Sequence, residues 1–126
     1  MTSIVRVPYV ELVSLIRDEL LKRGVPPEIA SIEAELAVES DLLGVSSHGV
    51  RIVPNLLKRF RESRAKAAPH WRTVLDYAAI CVIDGDHGPG RFISFKAMEQ
   101  AIDRAREFGI GACLATRTSH WGGAHV

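Results

Sequence analysis

Along the first half of the chain apolar residues recur at helical spacing, and in the second half they gather into short unbroken runs. Leu12, Val13, Ile16 and Leu20 share one face of a helix that Pro8 opens and Gly24 stops. Val25-Pro26-Pro27 then forces an extended link, because a residue that precedes proline is driven out of the α region. Ile29, Ile32, Leu36 and Leu43, interleaved with Glu28, Glu33, Glu35 and Glu39, predict a second helix that ends at Gly44 and packs antiparallel to the first. Val53, Leu56, Leu57 and Phe60 predict a third, in which Pro54 is tolerable only in the opening turns. The run Ala65-Lys66-Ala67-Ala68-Pro69-His70 has no periodicity and reads as a link.

Beyond that link the period changes. Ala78-Ala79-Ile80-Cys81-Val82-Ile83 has the length and character of a buried strand, and Gly85-Asp86-His87-Gly88-Pro89-Gly90 predicts a tight turn after it. Ala97, Met98, Ala101, Ile102, Ala105 and Phe108 fall on one helical face closed by Gly109, and Ile110-Gly111-Ala112-Cys113-Leu114-Ala115 reads as a second buried strand. Strand, helix, strand with short links predicts parallel strands joined by a right-handed crossover, with Cys81 and Cys113 in one sheet. The fold class is therefore α/β: a helical segment over residues 1–66, then a strand-helix-strand unit of a larger mixed sheet that begins an α/β catalytic or cofactor domain over 67–126. The chain stops just after a strand and a Gly-Gly turn, so further polypeptide is expected to follow.

Composition narrows the function classes more than it names one. With 47% apolar and 25% charged residues the chain is ordinary globular material, neither disordered nor membrane-spanning. A formal charge of +1 provides no field that would draw it to nucleic acid or anionic lipid. The local basic run Lys58-Arg59-Phe60-Arg61-Glu62-Ser63-Arg64-Ala65-Lys66 reads as a solvated helix C-terminus, where positive charge suits the dipole. Cys81 and Cys113 lie in apolar runs as small hydrophobes, which suits a reducing compartment. Met1-Thr2-Ser3-Ile4-Val5-Arg6 lacks the apolar core of a signal peptide, and no run approaches the ~18 residues of a membrane span, so a cytoplasmic protein is expected.

The segment from Asp41 to Asn55 sets polar, titratable groups between two apolar helical patterns. A Ser47 hydroxyl can bond an imidazole nitrogen, and His48 is of the one residue type whose charge ordinarily changes near neutral pH. A purely structural reading competes: Gly44 stops one helix, Ser46 or Ser47 caps the next, and His48 occupies its first turn. The glycines of 85–90 invite a phosphate loop, yet their order is G-x-x-G-x-G rather than G-x-G-x-x-G. Thr116-Arg117 also stand where an acidic residue is needed, which favours a plain turn. His48, His70, His87, His120 and His125 show no metal-site spacing, so no metal is predicted. Arg117-Thr118-Ser119-His120-Trp121-Gly122-Gly123 leaves the carboxyl end of the second strand, where open α/β sheets bind ligands.

Four blocks in order, Asp41 to Pro54, Asp84 to Gly90, Gly109-Ile110-Gly111 and Thr118-Ser119-His120-Trp121-Gly122-Gly123, resemble the malate/L-lactate dehydrogenase type 2 family. That family also contains ureidoglycolate, sulfolactate and diketogulonate oxidoreductases and cyclic imino-acid reductases. The resemblance covers nearly the whole chain and implies the N-terminal part of an oxidoreductase that moves a hydride between NAD or NADP and a small 2-hydroxy or 2-oxo acid. It implies that this part is inactive alone and works as a homo-oligomer, typically a dimer, or with a complementary C-terminal chain. It also makes His48 the proton donor, Ser47 part of its relay, and His120 with Trp121, Gly122, Gly123 and Ala124 the lining of the substrate and nicotinamide pocket. An acidic relay partner would lie beyond Val126, and the nicotinamide would bind on an architecture other than the common dinucleotide fold. His48 and His120 must then approach one pocket. Ile52 stands where family members commonly carry an arginine for the substrate carboxylate; the neighbouring Arg51 is the candidate replacement. From a different class comes the alternative of a non-catalytic remnant that serves as a protein-association scaffold.

Overall fold

Proline sets where the helices begin. Pro8 and Pro26 occupy the N-cap positions of α1 (Tyr9–Leu21) and α2 (Pro27–Leu42), and Pro54 falls in the first turn of α3 (Val53–Arg61). There a missing amide N–H leaves no hydrogen bond unmade. Gly24 and Gly44 take left-handed conformations just past α1 and α2. The computed structural model describes residues 5–123 and contains all three helices that the periodicity predicts in the first half. α1 packs on α2, burying Ile16 and Leu20, and Arg17 Nε donates to Ser31 Oγ across the pair at 3.0 Å.

The second half is a three-stranded sheet of order β1-β2-β3, formed by β1 (Arg72–Tyr77), β2 (Ile80–Gly88) and β3 (Ala112–Thr118). α4 (Gly90–Phe108) connects β2 to β3, which run parallel as expected, with Cys81 opposite Cys113. Burial and the adjacent Cys81 push the Cys113 thiol up to about 12, which keeps it protonated and unreactive.

Two features depart from the sequence reading. β1, antiparallel to β2, was not predicted: all six of its residues are exposed, so it has no in-out alternation. Ala78 and Ala79 belong to the hairpin reversal rather than to the strand, and Ala78 adopts a φ of 46° without the Asn-Gly pair that usually announces such a turn. β2 also runs on through Gly85 to Gly88, where a turn was expected. Its register against β3 slips between Asp84 and Gly88, and Asp86 and His87 take left-handed φ values within the slip. Here Asp86 receives Lys66 Nζ at 2.6 Å and the His70 N–H at 2.9 Å, while Arg117 Nε reaches Asp84 at 2.8 Å. Arg117 and the Asp86 N–H hold the Asp84 carboxyl below the usual carboxylate range; Lys66 and the His70 N–H do the same for Asp86.

One core joins the two halves. Ile16, Leu20, Ile29 and Val38 of the first helices meet Val53 and Leu56 of α3, Ile83 of β2, and Phe92 and Ile93 of α4. Each such side chain contributes on the order of 1.5–3 kcal/mol by leaving water. Among the described residues, no helix is long and apolar enough to cross a membrane.

Candidate functional site

Past α2 the chain makes two short 3-10 turns, Ser46–His48 and Val50–Ile52, before entering α3. Neither the turns nor α3 has a side-chain cap, so Ser46 and Ser47 do not play the capping role considered above. Ser47 Oγ lies instead 2.9 Å from His48 Nδ1. This arrangement leaves Nε2 as the ring nitrogen available to a ligand. Gly49 brings the main chain against α2: a Cβ there would collide with the Asp41 carboxylate, which accepts the Val50 N–H at 2.9 Å.

The backbone of His48 is pinned from below. Arg91 Nη2 donates to the His48 carbonyl at 2.7 Å, and Nη1 faces Glu33 Oε2 at 3.4 Å. Glu33 Oε1 accepts the Phe92 N–H at 2.8 Å, and the two charged side chains are 2% and 3% exposed. Burial pushes the Glu33 carboxyl upward, against the opposing pull of the Arg91 guanidinium and the Phe92 N–H.

His120 arrives from the carboxyl end of β3. Gly90, at the head of α4, lies so close to the Ser119 and His120 main chain that a Cβ would overlap the His120 carbonyl. The space that a phosphate-binding glycine would leave open is thus filled by the chain's own backbone. The Gly122 N–H donates to His120 Nδ1 at 3.0 Å, so Nδ1 is an acceptor and the ring hydrogen of the neutral form sits on Nε2. The two imidazoles face each other with centroids 5.5 Å apart and planes inclined by 32°. Both line a cavity of about 320 Å³ whose walls include Ser47, Ile52, Asn55, Arg59 and Ser119. That volume is at the small end of ligand sites.

The structure therefore brings together Ser47, His48 and His120. Gly122 is buried beside Arg91 and orients His120, and Gly123 is partly buried. Trp121 is exposed and borders a separate apolar groove with Met98 and Leu114. Ala124 lies outside the described residues. Arg51 is exposed and is not among the residues lining the cavity, whereas Ile52 is.

Sequence reasoning missed Glu33, Arg91, Asn55, Arg59 and Ser119. Some signals were available. Glu33 interrupts the buried stripe Ile29, Ala30, Ala34, Ala37, and Arg91 places a positive charge in a first helical turn, where the dipole opposes it. Arg59 belonged to a run read as a solvated helix end, yet Ile52, Asn55, Leu56 and Arg59 recur at helical spacing and all face the cavity.

A family model described as malate/L-lactate dehydrogenase matches residues 7–126. Over 118 residues the chain is 36% identical to a malate dehydrogenase of Pyrococcus horikoshii, covering 94% of this chain and 33% of that protein. It is 38% identical over 108 residues to an L-sulfolactate dehydrogenase of Methanocaldococcus jannaschii, covering 86% and 31%. The solved structure of malate dehydrogenase from Pyrococcus horikoshii superposes with a TM-score of 0.91 at 36% identity, over 94% of this chain and 34% of that one. The chain spans about a third of the length of these relatives. With the family's pattern running through nearly every described element, from α1 to the His120 segment, this chain belongs to the malate/L-lactate dehydrogenase family.

Proposed function

We propose that the chain supplies the acid-binding and proton-transfer part of an oxidoreductase that interconverts small 2-hydroxy and 2-oxo acids with NAD or NADP. The observation that carries this reading is the meeting of His48 and His120, from segments remote in sequence, on one small cavity. In reduction of a 2-oxo acid, the proton on His48 Nε2 passes to the carbonyl oxygen as it becomes a hydroxyl; in oxidation, Nε2 takes that proton back. In both states Nδ1 keeps its hydrogen and donates it to Ser47 Oγ, so that Nε2 carries the exchanged proton in the cation and is bare in the neutral ring. His120 offers its Nε2–H to a substrate oxygen.

In such a reaction the coenzyme supplies or accepts the hydride. The described residues do not fit it as a whole: the cavity has room for a small acid, and Gly88 and Gly90 are filled by Pro69 and by the His120 main chain. What this part of the chain does is bind and orient the acid and handle its proton. In the full-length protein, His48→Ala should lower turnover of pyruvate or oxaloacetate by about 100-fold or more, with coenzyme binding nearly unchanged. Unchanged turnover would return His48 to a structural role. The second reading, a scaffold that only associates with another polypeptide, is favoured by the exposed Met98, Ile102, Phe108 and Leu114 on α4 and β3. Loss of turnover in the His48 variant decides against it.

A further inference from the structure

We infer that Arg59 anchors the substrate carboxylate, in the role that neither Ile52 nor Arg51 fills; this rests on the 2-oxo acid reading above. Arg59 sits on the stripe of α3 that lines the His48 and His120 cavity, two helical turns beyond Ile52. Helical side chains lean toward the N-terminus, so its guanidinium is carried back along that stripe toward the turn that holds His48. Ile52 occupies the wall but has no charge, and Arg51 is exposed off the cavity.

The guanidinium also lacks what buried donors ordinarily have. Arg59 Nε is buried without a hydrogen-bond partner, and Arg59 has no ion-pair partner among the described residues. Two other arginines bury an unpaired Nε, but their terminal nitrogens are committed. Arg91 holds Glu33 and the His48 carbonyl, and Arg104 holds Asp76 and Gln100. The nearby carboxylates are committed as well: Glu33 to Arg91 and the Phe92 N–H, Glu62 to Lys58 and Arg64. A buried donor left unpaired is costly, and a cavity-facing guanidinium has the planar fork that matches a carboxylate through two parallel hydrogen bonds. An acid held there by its carboxylate would place its 2-oxygen toward the two imidazoles.

The test is kinetic, in the full-length protein, with pyruvate, oxaloacetate and the neutral analogue pyruvamide. Arg59→Gln should raise KM for both acids roughly tenfold to a hundredfold with kcat within a few-fold, and should erase the preference for pyruvate over pyruvamide. Arg59→Lys keeps the charge without the fork and should fall between, which also decides the matter should the glutamine variant fail to fold. If wild-type protein turns over the acids, His48→Ala abolishes this, and neither Arg59 variant moves KM, then Arg59 is not the anchor although the reading of the site stands. Should wild-type protein reduce no 2-oxo acid, calorimetric titration with oxalate decides for Arg59 on its own. Oxalate binding that is lost in Arg59→Gln upholds an anion anchor, and binding that is absent or equal in both proteins overturns it.

Discussion

The two ends of α4 invert what hydropathy alone suggests. At its head, Gly90, Arg91, Phe92 and Ile93 are all buried, and the arginine is only 3% exposed. Farther along, Met98 is 61% exposed and Ile102 43%, although both lie on the apolar face that defines the helix in sequence. At the head, α2 contributes Glu33 and the Phe92 contact, and the His48 turn contributes a carbonyl, so a charged side chain is satisfied in the interior. Along the outer turns, Ala97, Ala101 and Ala105 are partly covered by the core and by the Gly111 main chain, but the described residues leave Met98, Ile102 and Phe108 exposed. Periodicity reveals that a face is apolar; burial depends on what another element brings to it.

The strongest way to test the difference is at the head. Arg91→Met removes the partner of a buried carboxyl and should destabilise the protein by about 3–5 kcal/mol in urea unfolding, because the Glu33 group and the His48 carbonyl are left buried without their donor. Adding Glu33→Met should restore most of that loss, since an apolar pair replaces the ionic one at similar volume. A cost below about 1 kcal/mol for the single change would mean that water or the cavity already solvates Glu33. Next in size, Ile93→Ala should cost about 2–5 kcal/mol while Ile102→Ala costs less than about 1 kcal/mol. Equal costs would show that the outer face is covered in solution.

The smallest expected effect is on acid stability. Asp84 and Asp86, which lead β2 into the head of α4, titrate below the ordinary carboxylate range in the folded chain. Their stabilisation is therefore complete above about pH 4 and is lost as pH falls through the depressed folded values. Glu33, raised by burial, works in the opposite sense: its folded form holds a proton that the unfolded chain has already released, so its contribution falls as pH rises. Melting temperature should decline on the acid side, and Asp86→Asn should flatten that decline while leaving the Glu33 trend. An unchanged acid limb in Asp86→Asn would remove the Lys66 and His70 clasp from the account.

The parts of the fold that were legible are those written in local punctuation. Pro8, Pro26, Pro54, Gly24 and Gly44 bound the first three helices because each acts on its own backbone. β1 was illegible because it is an exposed edge paired on one side, and the Ala78-Ala79 reversal lacks the residues that favour a positive φ. At the site, His48 and Ser47 were readable as neighbours in sequence. Arg59 and Arg91 were not, since what distinguishes them is the partners they have or lack after α2, α3 and α4 close on one another. The same closure turned one residue of an apparently solvated basic run toward the cavity.

The stripe of α3 and the His48 mount are built on different supports. His48 is held through its main-chain carbonyl and through its neighbour Ser47, so no side chain of α3 takes part in fixing it. Ile52 and Asn55 can be exchanged without touching those bonds, the Leu56 core contact or the Arg59 anchor. On the reading proposed above, preference for one acid over another can change by substitutions within a single helical face while the proton-handling groups stay as they are. A lineage built on this scaffold has a short route between substrates, and a designer has two positions with which to follow it.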